Sequence, residues 1–141
     1  MKSKVNKKIE TRDSSGLVNG YLVPIYNIHE GFHEKGKEPQ QVYLTVVKPG
    51  KTKGPHLHYI RTGCFTCIKG NIRIITRESG KYCEYLSGED YNYRSVIIET
   101  GIPAMIQNIG SDDAFLLNMP FPAWTPDMDD EHSDDFSNFK L

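Results

Sequence analysis

The chain has 141 residues, one domain's worth on the usual scale of about 100–200 residues. Hydrophobic residues make up 38% and charged residues 25%, the balance of an ordinary globular protein. Seventeen Lys and Arg against eighteen Asp and Glu give a formal charge of -1, without the basic excess that binding nucleic acid or an anionic membrane would require. No apolar run approaches the ~20 residues of a membrane span. The opening MKSKVNKKIE lacks the apolar stretch of a signal peptide. Reduced cysteines and a cytoplasmic location are therefore expected.

In chain order, the first residues are basic, with Lys2, Lys4, Lys7 and Lys8. From Thr125 the tail is acidic, with Asp127, Asp129, Asp130, Glu131, Asp134 and Asp135. Both read as solvated ends of a single domain over residues 1–141, whose barrel occupies roughly 20–124. Between them lie short runs rich in Val, Ile, Tyr, Phe and Thr, cut by Gly, Pro, Asn and Asp. Gln41–Val47 ends at Pro49-Gly50, and on it Tyr43, Thr45 and Val47 share a face. Phe65–Ile68 and Ile72–Thr76 flank Lys69-Gly70-Asn71, which predicts a tight hairpin. Tyr82–Leu86, Ser95–Glu99, Ala104–Ile109 and Ala114–Met119 follow, separated by turn signals. About seven strands at roughly ten-residue spacing predict an all-β sandwich or barrel.

The densest chemistry lies between Lys48 and Gly70. His56 and His58, two apart in extended chain, point to one face about 6–7 Å apart, as a metal pair or an acid/base pair. Two other patterns carry less. His29-Glu30-Gly31-Phe32-His33 spells the metalloprotease signature, but Gly31 and Gly36 interrupt the helix it needs. Cys64 and Cys67, three apart on a strand, face opposite sides and read as buried small side chains. Tyr91, Tyr93, Phe115, Phe121 and Trp124 read first as core or interface aromatics, with stacking on a base or sugar as the alternative.

The spacing Gly50-x5-His56-x-His58-x4-Gly63-x6-Gly70 resembles the first cupin motif, with glycine in place of its glutamate. Glu99-Thr-Gly101-Ile-Pro-Ala104-Met-Ile-Gln-Asn108 resembles the second, with departures at Glu99 and Ala104. The resemblance implies a cupin-type jelly-roll barrel with both histidines at its mouth. In metal-dependent cupins the positions of Gly63 and Ala104 supply the third and fourth ligands. Two histidines alone are too few for ordinary tight binding, so no metal or other cofactor is expected. A metal cupin with unusual ligands, drawing on His29, His33 or His132, is the minor alternative.

The chain is similar to the metal-independent branch, the dTDP-4-dehydrorhamnose 3,5-epimerase-like and dTDP-sugar 3,4-ketoisomerase families. The match runs through Lys53-Gly54-Pro55-His56-Leu57-His58 to Gly70. It implies enolisation of a dTDP-4-keto-6-deoxy sugar for surface-polysaccharide synthesis, with His56 as base. Tyr43 sits where the ketoisomerases place a tyrosine, and is an acid candidate or a core aromatic. His58 is a second acid/base or a substrate contact. An imidazole near pKa ~6.5 suits proton removal beside a ketone. The enolate oxygen needs a fixed cation, for which Lys53 is the first candidate and Arg61 or Arg73 the substitutes. Asn108, which ends the second motif, joins these three as an expected substrate contact. The tyrosine pair usual in the epimerases is missing from Asn118–Trp124, and the acidic tail offers several carboxylates to orient His56. The alternatives are a 3,4-ketoisomerase and a non-catalytic sugar- or nucleotide-binding cupin. A nucleotide-sugar ligand and a homodimer are the implied partners.

Overall fold

A computed structural model describes residues 2–139. The architecture is two five-stranded antiparallel sheets and a separate two-stranded hairpin. In chain order the strands are β1 (Lys2–Lys4), β2 (Ile9–Arg12), β3 (Val18–Leu22), β4 (Tyr43–Val47), β5 (Thr52–His58) and β6 (Gly63–Lys69). They continue with β7 (Asn71–Glu78), β8 (Lys81–Gly88), β9 (Ser95–Ile98), β10 (Ala104–Asn108), β11 (Ala114–Asn118) and β12 (Glu131–Ser133). One sheet runs β1-β9-β6-β11-β4, the other β12-β5-β10-β7-β8, and β2 pairs β3. This is the cupin-type jelly roll. Among the described residues no helix is long and apolar enough to cross a membrane.

Alternation along the strands builds the core. Val47, Cys67, Ile72, Ile74, Val96, Ile98, Ile106, Ala114 and Leu116 point inward from both sheets and form one cluster. Ile72, Ile74 and Leu116 are fully buried, and each stabilises the fold by about 1.5–3 kcal/mol. The outward residues make two smaller clusters. Ile75 and Met105 pack under Phe136 of the tail, and Cys64 packs with Ile97 and Met119. Cys64 and Cys67 thus face opposite sides of β6.

Two expectations change. The predicted hairpin around Gly70 is a corner between sheets: β6 has β9 and β11 as neighbours, while β7 has β10 and β8. Gly70 takes φ +75, and a Cβ there would lie 3.4 Å from the Cα of Ala114. Periodicity marks a strand but not its partner, and the real hairpin is β7–β8, turning at Ser79-Gly80. The charged ends are not merely solvated either. β1 pairs with β9, Lys4 pairs with Glu30, and Asn6 is buried, donating to the Tyr93 carbonyl and Ser95 Oγ. At the other end β12 adds to the edge of β5, Asp130 is 2% exposed, and Arg77 pairs with Asp134 at 2.9 Å. Main-chain pairing holds both charged segments at sheet edges, and at the C-terminal end Phe136 packed on Ile75 and Met105 adds an apolar anchor.

Candidate active site

The barrel opens on a cavity of about 430 Å³ whose floor is apolar, with Phe65, Ile98, Ile102 and Ile106. Its wall and mouth are polar, with Tyr43, Lys53, His56, His58, Arg61 and Glu131. Of the residues expected from the sequence, the structure brings Tyr43, Lys53, His56, His58 and Arg61 together here.

Strand geometry places them. His56 and His58 are two apart on β5 and share the inward face. Lys53, three before His56, belongs on the opposite face of a regular strand. A bulge corrects this, because three steps on β5 from His56 to Lys53 oppose two on β10 from Ala104 to Ile106. Gly54 makes the bulge feasible: it takes φ +91, and a Cβ there would meet the Ala104 carbonyl oxygen at 2.8 Å.

β12 brings the carboxylates. Glu131 lies opposite His58 in the register and on the same face as both histidines. Its Oε1 is 3.1 Å from His56 Nδ1. A carboxylate this close to Nδ1 favours a proton on that nitrogen, which leaves Nε2 as the ring nitrogen able to act as base. His58 is more enclosed. Burial, and then the nearby Arg61 charge, lower its pKa from the ordinary value, so it is neutral at pH 7.

Arg61 is held by Asp130, whose carboxylate accepts from Tyr59 N, Ile60 N, Arg61 N and Arg61 Nε at 2.7–3.1 Å. Burial works to raise the Asp130 carboxyl, but the hydrogen bonds from Ile60 N and Arg61 outweigh it, and it ends below its ordinary value. Tyr43 hydroxyl accepts from Asn118 Nδ2 at 2.5 Å.

Two expected contacts lie elsewhere. Arg73 projects from the outer face of β7, where it donates to Gln107 Oε1 at 2.6 and 3.1 Å. The strand's alternation explains this, since Ile72 and Ile74 on either side of it are the inward residues. Asn108 is 3% exposed and fully engaged: Nδ2 donates to the Val47 and Asp112 carbonyls, and Oδ1 accepts from Gly110 N. It shapes the turn after β10. Sequence reasoning had not selected Asp130 and Glu131 from six tail acids, because β12 pairing is a long-range contact without a local signal.

Gly63 and Ala104 both line the cavity without a side chain that can coordinate. A Cβ on Gly63 would lie 2.7 Å from Phe65 Cε2, so a longer residue there would require the Phe65 ring to move. Among the described residues no group of three or more His, Cys, Asp or Glu is placed to hold a metal ion. The metalloprotease-like stretch is no helix: His29 sits in a single 3-10 turn closed by Gly31 at φ 75, and His33 packs edge-on against Tyr26 and Phe32.

A model of the family described as "Polysaccharide biosynthesis C-terminal domain" matches residues 28–135, spanning β4 to β12 and the whole cavity. The chain belongs to this family. Curated protein sequences contain no match to it. Among solved structures, this polysaccharide-biosynthesis domain is similar to a dTDP sugar isomerase from Desulfovibrio desulfuricans G20, with TM-score 0.77 and 14% identity over 94% of this chain and 83% of that one. It is similar to ChmJ, a 3'-monoepimerase from Streptomyces bikiniensis in complex with dTDP-quinovose, with TM-score 0.73 and 18% identity over 93% and 67%. At such identities these two show the shared fold. The capsular polysaccharide assembling protein CapF from Staphylococcus aureus is 26% identical, with TM-score 0.62 over 69% of this chain, which spans only 29% of CapF.

Proposed function

We propose that the domain is a metal-independent isomerase of a nucleotide-linked 4-keto-6-deoxy sugar, most simply an epimerase of the 3,5 type. The observation that carries this is the His56–Glu131 pair at the mouth of a cavity that also holds a cation and a tyrosine hydroxyl. The dTDP-sugar isomerase and epimerase named in the neighbouring structures are consistent with that substrate class.

The chemistry follows from the positions. His56 Nε2 takes the proton from the carbon beside the ketone, while Glu131 holds Nδ1–H and stabilises the imidazolium that forms. The electron pair moves onto the C4 oxygen as an enolate, and Lys53 supplies positive charge for it. Tyr43 returns a proton to the opposite ring face, the carbonyl re-forms, and the centre is inverted. Arg61, fixed by Asp130, is placed at the mouth for a phosphate oxygen.

His58 favours a second reading. A neutral imidazole beside His56 could move a proton between C3 and C4 through the enediol, which would make the domain a 3,4-ketoisomerase. The test is conversion of dTDP-4-keto-6-deoxyglucose with NMR identification of the product. A C3- or C3/C5-inverted sugar that retains its C4 ketone supports the epimerase, and a 3-keto sugar supports the ketoisomerase. Binding without conversion would leave a non-catalytic sugar-binding domain.

A further inference from the structure

Asn118 closes β11, opposite Tyr43 on one neighbouring strand and Phe65 on the other. It is 6% exposed and lines the cavity wall. Its Nδ2 donates to the Tyr43 hydroxyl, whereas its Oδ1 is buried without any hydrogen-bond partner. Among the described residues, that is the one buried side-chain polar atom left so. A half-satisfied amide is a poor structural choice, since leucine has similar shape and would leave nothing orphaned. What the amide achieves here is directional. With an N–H bound to the phenolic oxygen, the single Tyr43 proton is not needed for Asn118 and can be given to the cavity. The same N–H remains to bond the oxygen once that proton has gone.

We infer that Asn118 is the positioning residue for the acid half of the reaction: it holds Tyr43 as a donor aimed at the ligand, so that proton delivery depends on Asn118 while proton removal by His56 does not. This rests on the isomerase reading above. The carbon-bound proton goes to His56 and the electron pair to the C4 oxygen. The enolate then takes the Tyr43 proton on the other face, the imidazolium releases its proton to solvent, and the phenolate regains one.

The two halves separate experimentally. In heavy water, with dTDP-4-keto-6-deoxyglucose as the probe, proton NMR follows deuterium entry at the carbon beside the ketone and inversion of that carbon as distinct rates. Asn118→Leu is expected to keep exchange within about 3-fold of the unmodified protein while inversion falls roughly 10-fold or more, the weight of one hydrogen bond to a group gaining charge. Asn118→Asp keeps the shape but offers Tyr43 only acceptors, and is expected to show the same split, as is Tyr43→Phe. Thermal melts of the Asn118 variants at or above the unmodified midpoint would exclude a merely structural effect. Exchange and inversion falling together, or inversion unchanged in either Asn118 variant, would overturn the inference. Absence of exchange in the unmodified protein gives a different signature: it removes the isomerase reading, and the role of Asn118 with it.

Discussion

His58 and Asp130 are neighbouring ionisable residues whose native pKa values are both lowered, so each makes stability fall on acidification, in two separate pH windows. Burial and the Arg61 charge hold His58 below its ordinary value of 6.5, so the unfolded chain binds more protons in that window. Stability should therefore rise with pH up to about 6.5 and fall on acidification below it, and urea titrations of His58→Gln between pH 5 and 7 should show a flatter slope. Asp130 is stabilising as a carboxylate above its ordinary value of 3.8 and loses that contribution as pH falls through its lowered native value. Asp130→Asn would leave Arg61 an uncompensated charge 11% exposed, and should cost about 3 kcal/mol in denaturant unfolding at pH 7. The cysteines give a simpler check. Burial pushes Cys64 and Cys67 to about 12, so neither thiol is nucleophilic at neutral pH. Native iodoacetamide labelling, read by mass spectrometry, should modify Cys83 alone. The alternation that put Cys64 and Cys67 on opposite faces was readable from the sequence, as was the shared face of His56 and His58. Lys53 entered the cavity for a reason that was not readable, since the bulge at Gly54 depends on the pairing with β10.

At the scale of elements, β4 and β11 follow the apolar alternation closely, because that pattern is local and the core demands it, whereas β5 is marked by its histidines and β9 is buried at every position. Pairing is not local. The corner at Gly70 looked like a hairpin because glycine beside asparagine serves either turn, and which sheet receives β7 depends on neighbours distant in sequence. β12 was the larger omission. Its three residues carry no strand pattern, yet it brings Glu131 to His56, anchored by the Arg77–Asp134 pair and by Phe136 packed on Ile75 and Met105. Glu131→Gln should lower turnover roughly 10- to 100-fold, the weight of a hydrogen bond to a charged group, with little change in melting temperature. Phe136→Ala should loosen β12 by emptying a buried site 7% exposed, and hydrogen exchange should show lost protection at Glu131–Ser133 before the core strands are affected.

For the whole molecule, the exterior carries an unusual apolar load on one hairpin and one sheet edge. Ile9, Leu17, Val18, Tyr21 and Leu22 are exposed on β2, β3 and their turn, and Val42, Leu44 and Val46 on and before the edge strand β4. We expect these surfaces to be covered in a homodimer, so light scattering after gel filtration should give twice the monomer mass; a monomer would show that the fold tolerates them in water. The all-β sandwich or barrel was legible because strand spacing and apolar pattern report on the core, and the jelly roll followed from the resemblance to the cupin motifs around His56 and His58. The candidate site was legible only where a motif was local, around His56, whereas Glu131 and Asn118 reach the cavity from strands far away in sequence. The central claim is that His56 removes a proton beside a ketone, and solvent exchange tests it most directly. In heavy water, the unmodified protein should place deuterium beside the C4 ketone of dTDP-4-keto-6-deoxyglucose, and His56→Ala should lower that rate about 100-fold or more. Exchange that persists undiminished in His56→Ala, or never occurs in the unmodified protein although dTDP binds, would contradict it.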